Sequence, residues 1–162
     1  MADPRRITTR RLVLRQPTED DLPAYVTVTN GENSEREHID AIAHWRSFGW
    51  GPWLVEARGE PVGTLEIHYA GPGPKGIEPH EVEIGWAIVQ ERRGEGFATE
   101  AARAAIDDAF EHAKPNYHGW IVAYIRPENV ASRRVAEKLG MRPEVDGLTR
   151  SGHPMRIYRR RR

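Results

Sequence analysis

Cysteine is absent from the 162-residue chain, which removes disulfides, thiolate nucleophiles and cysteine metal sites. Net charge is absent as well, because 24 Lys and Arg balance 24 Asp and Glu. No global field therefore draws the chain to nucleic acid or to an anionic membrane, and nucleic acid is an unexpected partner. No apolar run approaches the length of a bilayer span, so no membrane contact is expected. The polar, basic N-terminus also lacks the apolar core of a secretory signal, and with no cysteine a cytoplasmic setting is the expectation. Seven histidines are scattered without zinc or metalloprotease spacing, so no metal is expected. Neither an internal repeat nor a linker is visible, and one domain over residues 1–162 is the economical reading. The oligomeric state is not set by these features; a homodimer is compatible with them.

What is present is a strand that feeds a helix through glycines. Val82, Ile84, Trp86 and Ile88 fall on one face of an alternating run, with Glu81, Glu83, Gly85 and Ala87 on the other. After Arg93-Gly94-Glu95-Gly96-Phe97, the apolar residues Ala101, Ala102, Ala105, Ile106, Ala109 and Phe110 recur at helical spacing. Such a junction aims unpaired backbone N–H groups at one point, where the helix dipole favours an anion. The loop is a candidate phosphate cradle. No Gly-Lys-Ser/Thr closes it, so it is not a nucleotide-hydrolase loop. A dinucleotide fingerprint would need Gly or Ala where Thr99 stands, and a ribose-binding acid near Pro115, where there is none.

A second segment, Arg126 to Met141, narrows the choice. Arg93-Gly94-Glu95-Gly96-Phe97-Ala98, followed by Asn129-x-x-Ser132 and Glu137-Lys138-Leu139-Gly140-Met141, resembles the GNAT acetyltransferase superfamily and its RimJ/RimL-like branch. That resemblance implies an α/β (α+β) fold: a mixed, largely antiparallel twisted sheet of six to seven strands. Helices would cover both faces, and a central strand pair would splay. It also implies acetyl-CoA as cosubstrate. Backbone groups of Ile88 and Val89 would pair with the pantetheine arm, and the N–H groups of Arg93, Gly94, Gly96, Ala98 and Thr99 would hold the pyrophosphate. Asn129 would cap a helix and touch the same arm.

The implied reaction is acetyl transfer to a primary amine by direct attack in a ternary complex. The acceptor would be a peptide N-terminus or a small cationic amine. An ammonium has no lone pair, so a base is needed. Glu83 is the first candidate, with Glu81 about 7 Å along the same strand face raising its pKa; a water relay is the rival. A backbone N–H at Ile88 or Val89 would meet the oxyanion. Many family members carry a Tyr just before Glu-Lys-Leu-Gly, but here that place is Ala136. Ser132, one helical turn earlier, can take over as the acid near the thiol or can simply belong to the Asn129 cap. The missing Tyr also leaves open a non-catalytic acyl-CoA sensor.

The flanking chain reads less sharply. Leu12 and Leu14 alternate in a first strand, and helices are expected from Asp20 or Asp21 to Asn30 and from Ser34 to Phe48. The acids Glu32, Glu35, Glu37 and Asp40 form either a solvated helix face or a wall of the acceptor pocket. Trp53–Ala57 and Val62–Tyr69 read as a hairpin, and 70–79 as a loop long enough to act as a flap. Asn129 to Gly140 is a helix, and two short strands follow. The terminal Arg159-Arg160-Arg161-Arg162 reads as a disordered end.

Overall fold

The computed structural model describes residues 3–71, 77, 81–113, 119–149 and 151–162. Strands β1 (Arg6–Thr8) and β2 (Val13–Arg15) lead into a 3-10 turn and helix α1 (Leu22–Thr29). Asp21 fixes the entry to that helix, accepting from the Thr18 N–H at 2.6 Å and the Thr18 hydroxyl at 2.8 Å. Asn30 ends it in the left-handed region, at φ 55°. Helix α2 then runs over Ser34–Phe48, with the bounds that the sequence periodicity predicts.

Strands β3 (Trp53–Ala57) and β4 (Glu60–Tyr69) form the expected hairpin. Arg58 and Gly59 both take positive φ in its two-residue turn, the geometry that matches strand twist. Strand β5 (Val82–Ile88) runs into helix α3 (Phe97–His112), and β6 (Trp120–Ile125) into α4 (Val130–Lys138). Strands β7 (Arg142–Leu148) and β8 (Pro154–Arg161) close the chain. The flap expected at 70–79 falls largely outside the described residues.

All eight strands share one sheet, in the order β1-β2-β3-β4-β5-β6-β8-β7. That is one strand more than the sequence predicts, because Arg6–Thr8 pairs antiparallel with β2. Every pairing is antiparallel except β5 with β6. These two parallel strands touch at two rungs only, Val82 with Ile121 and Glu83 with Val122. Beyond Glu83 they part. The gap opens toward the glycine loop.

The two sheet faces carry different chemistry. Leu65, Ile67, Val82, Ile84, Ile121 and Ala123 are buried with the alanine stripe of α3 in the main core. At about 25 cal/mol per Å² of apolar surface this face supplies most of the folding drive. The opposite face meets α1 and α2 through Tyr25, Ala41 and Leu54, and register places Thr64, Glu66, His68, Glu83 and Gly85 on it. That face is polar where the first is apolar.

The Arg159–Arg162 segment is not a disordered end. Arg159 to Arg161 lie in β8 opposite Val122, Ile121 and Trp120, and the Arg161 guanidinium stacks 4.0 Å from the Trp120 ring centre. A run of four like charges hides strand character, because the partners that neutralise it are distant in sequence.

Candidate active site

The glycine turn is built by its two left-handed residues. Gly94 has φ 81° and Gly96 φ 82°, values that a side chain strongly disfavours. Gly96 is the N-cap of α3, and no side chain caps that helix. Its first-turn N–H groups, Ala98 and Thr99 among them, have no partner within the helix itself. The Arg93 N–H, in contrast, reaches Gln90 O at a long 3.3 Å, a weak hold on Arg93 from its backbone. Its side chain holds the turn instead, with Nε donating to Ile88 O at 3.0 Å. Arg11 and Arg92 flank the Phe97 ring, each 4.8 Å from its centre. They form part of a positively charged cavity of about 670 Å³ beside the loop. That cavity does not include Glu83.

The strand ladder separates the two predicted oxyanion donors. The Val89 N–H donates to Val62 O at 2.9 Å, so Val89 is committed to β4 and unavailable. Antiparallel pairing alternates its hydrogen bonds from side to side. Ile88 pairs with Gly63 and therefore turns its own N–H away from β4, toward the gap. Gly63 permits this close approach: a Cβ there would sit 2.5 Å from Ala87 O.

Glu83 stands where the gap begins, on the second of the two rungs. Burial pushes its carboxyl above the ordinary range, and neighbouring His68 and a hydrogen bond from Tyr124 offset part of that rise. Tyr124, on the opposite bank, is pushed up to about 12 by burial first and then by Glu83. It is therefore protonated at neutral pH, with its hydroxyl close enough to Glu83 to act on it. Tyr124 was not legible as a site residue, because only the splay puts it across from Glu83.

Glu81 does not act as the neighbour that raises Glu83. It is buried and held by Arg159, whose Nε and Nη2 donate at 2.8 and 3.1 Å. The carboxylate that shares the Glu83 face is Glu66, one strand over and opposite Gly85. Burial, followed by the charges of Glu37, Asp40 and Glu83, pushes Glu66 up to about 8. Of the four acids at 32–40, Glu32 and Glu35 are solvated. Glu37 is half-buried and raised by desolvation.

His44 is excluded as a base by its bonds. The Tyr69 N–H donates to Nε2 at 3.3 Å, so Nδ1 carries the proton that meets Trp50 O at 2.8 Å. Burial pushes it down to about 4, and it serves as a neutral strut between α2 and β4. At α4, Asn129 Oδ1 accepts from the Ser132 N–H at 3.0 Å, the predicted cap. Ala136 is wholly buried in the core.

Comparison with known proteins identifies the family. Residues 11–142 match the family model described as "Acetyltransferase (GNAT) domain". The chain belongs to the GNAT acetyltransferase family. YnaD of Bacillus subtilis, an uncharacterized N-acetyltransferase, is 30% identical over 127 residues, 78% of this chain and 61% of its own length. The chain thus spans less than two thirds of that relative. An Agrobacterium tumefaciens acetyltransferase structure is 28% identical, with TM-score 0.75 over 98% of this chain and 95% of its own. Mycobacterium smegmatis RimJ, in complex with CoA-disulfide, shares the GNAT fold at 21% identity and TM-score 0.75, over 99% and 90%. Among the described residues no helix is long and apolar enough to cross a membrane.

Proposed function

We propose that this chain, as one domain, transfers an acetyl group from acetyl-CoA to a cationic primary amine by direct attack while both are bound. The observation that carries this reading is the two-rung pairing of β5 with β6. It leaves the Ile88 N–H facing an open gap, with Glu83 at its foot. The residues fit the cosubstrate. An extended amide chain can add itself to the exposed edge of β5 as a strand would. The N–H groups around Gly94, Gly96, Ala98 and Thr99, with the α3 dipole, suit a diphosphate.

Acetyl-CoA would supply the activated acyl group. Glu83 takes the proton that the ammonium must lose, a task suited to a carboxyl raised toward neutral pH. Tyr124, on the opposite bank of the gap, is one candidate proton donor for the departing sulfur. Ser132 is the other candidate for that donor, and Asn129 orients its turn. The Ile88 N–H, about 16 Å along β5 from Glu83, suits an amide of the pantetheine arm.

Calorimetry with coenzyme A and a thiol-release assay with acetyl-CoA and a panel of amines test the reading together. Heat of binding and amine-dependent thiol release are expected. No heat with folded protein overturns it, and binding without any turnover leaves the non-catalytic sensor that the buried Ala136 favours.

A further inference from the structure

Glu66 is a half-buried acid, one of whose oxygens has nothing to bind. Its Oε1 is closed off from solvent and has no hydrogen-bond partner, and the charges that reach it, from Glu37, Asp40 and Glu83, are all negative. The Tyr25 hydroxyl is a second and independent orphan. Tyr25 is wholly buried, its oxygen has no partner, and the charges of Glu66, Asp21 and Glu37 act on it, opposed by that of Arg15. Asp21 is already answered by Arg15, at 2.7 and 2.8 Å, and Arg15 also holds Glu56 at 2.9 Å. No such cation reaches Glu66 among the described residues. Two buried oxygens without partners cost folding free energy that native structures rarely leave unoffset.

Gly85 lies opposite Glu66, and a Cβ there would meet only Glu66 Cβ, at an ordinary 3.8 Å. The missing side chain leaves a notch between Glu66 and Glu83 on the β4–β5 floor. Glu37 and Asp40, both on α2, reach Glu66 through their charge; Asp40 is exposed and 3.7 Å from Arg36. His68, Tyr124 and Glu83 complete the charged and titratable groups on the sheet side.

We infer that Glu66, with Glu37 and the Tyr25 hydroxyl, is a second cation subsite, and that the acceptor is a small diamine whose far ammonium binds there while Glu83 deprotonates the near one. The inference rests on the acetyltransferase reading for the second half of that statement; the subsite itself does not. Glu66 and Glu83 are diagonal neighbours on adjacent antiparallel strands, their Cβ atoms somewhat under about 7–8 Å apart, a spacing that a chain of about four carbons between nitrogens can span. The far ammonium would give the Glu66 carboxylate its missing donor and would set the near nitrogen beside Glu83. A monoamine can do only one of these.

The test uses 1,4-diaminobutane and 1-aminobutane as probes. Calorimetry on the full chain without coenzyme A should show the diamine binding at least about 30-fold tighter than the monoamine. Glu66→Gln should reduce that preference to below about 3-fold, with monoamine binding unchanged. In the thiol-release assay the same variant should raise KM for the diamine while leaving kcat for the monoamine intact, a split that a merely structural Glu66 would not produce. Tyr25→Phe, which keeps the ring packed, should weaken diamine binding about 3- to 10-fold. Equal affinity for the two probes, or a preference that survives Glu66→Gln, overturns the subsite. So does a lysine-ended peptide binding more tightly than the diamine. Loss of coenzyme A binding would instead strike the acetyltransferase reading, leaving the diamine measurements to stand.

Discussion

Glu81 and Arg159, 78 residues apart in the chain, meet in a two-bond fork at 2.8 and 3.1 Å behind the rungs that join β5 to β6. Their side chains are 5% and 12% exposed. Glu144 adds a third bond to Arg159 at 3.3 Å. Arg159→Ala would strand the Glu81 charge in the interior, and a loss of about 3–5 kcal/mol is expected from urea unfolding. Replacing both residues by Met should cost less than half as much, because no unpaired charge remains.

Glu83→Gln should lower kcat by about 10²–10⁴-fold while leaving coenzyme A affinity unchanged. In the parent enzyme, kcat/KM should climb with pH as Glu83 loses its proton. That climb should be centred above the ordinary carboxylate range, because burial raises the group. The variant should lose this limb of the profile. A limb that persists would assign the proton to a water relay.

Gly96→Glu places a side chain at φ 82° and a carboxylate where the diphosphate is expected. Coenzyme A affinity should fall by more than about 100-fold on calorimetry, since both the strain and the like charge oppose binding. Circular dichroism should show the helices retained.

Glu66→Gln has a pH-dependent effect on stability whose sign follows from its raised carboxyl. Below about 4.5 the group is protonated in both folded and unfolded chains, and the substitution is neutral in this respect. As pH rises from 4.5 through about 8, the unfolded chain releases the proton first, and the parent protein loses stability that the amide keeps. The variant should therefore gain about 1–3 kcal/mol relative to the parent by pH 9, read from thermal unfolding across that window.

Much of the scaffold was legible because it is local. The Ser34–Phe48 helix, the Arg58-Gly59 turn and the alanine stripe of α3 each follow from spacing within a few residues. The site was legible only on one bank. Glu83 and the glycine turn lie in one continuous stretch, whereas Glu66 and Tyr124 reach Glu83 from other strands through pairings that hydropathy does not encode. Glu81 was misjudged for the same reason: alternation shows which way a side chain points, but Arg159 arrives from the far end of the chain.

A parallel seam two rungs long has a further effect on the molecule as a whole. It joins a five-stranded slab to a three-stranded one, and whatever lies along the open edge of β5 acts as the missing stitch between them. Ligation and resistance to proteolysis then become one quantity, and the abundance of this protein in a cell would rise and fall with the supply of the reagent it consumes.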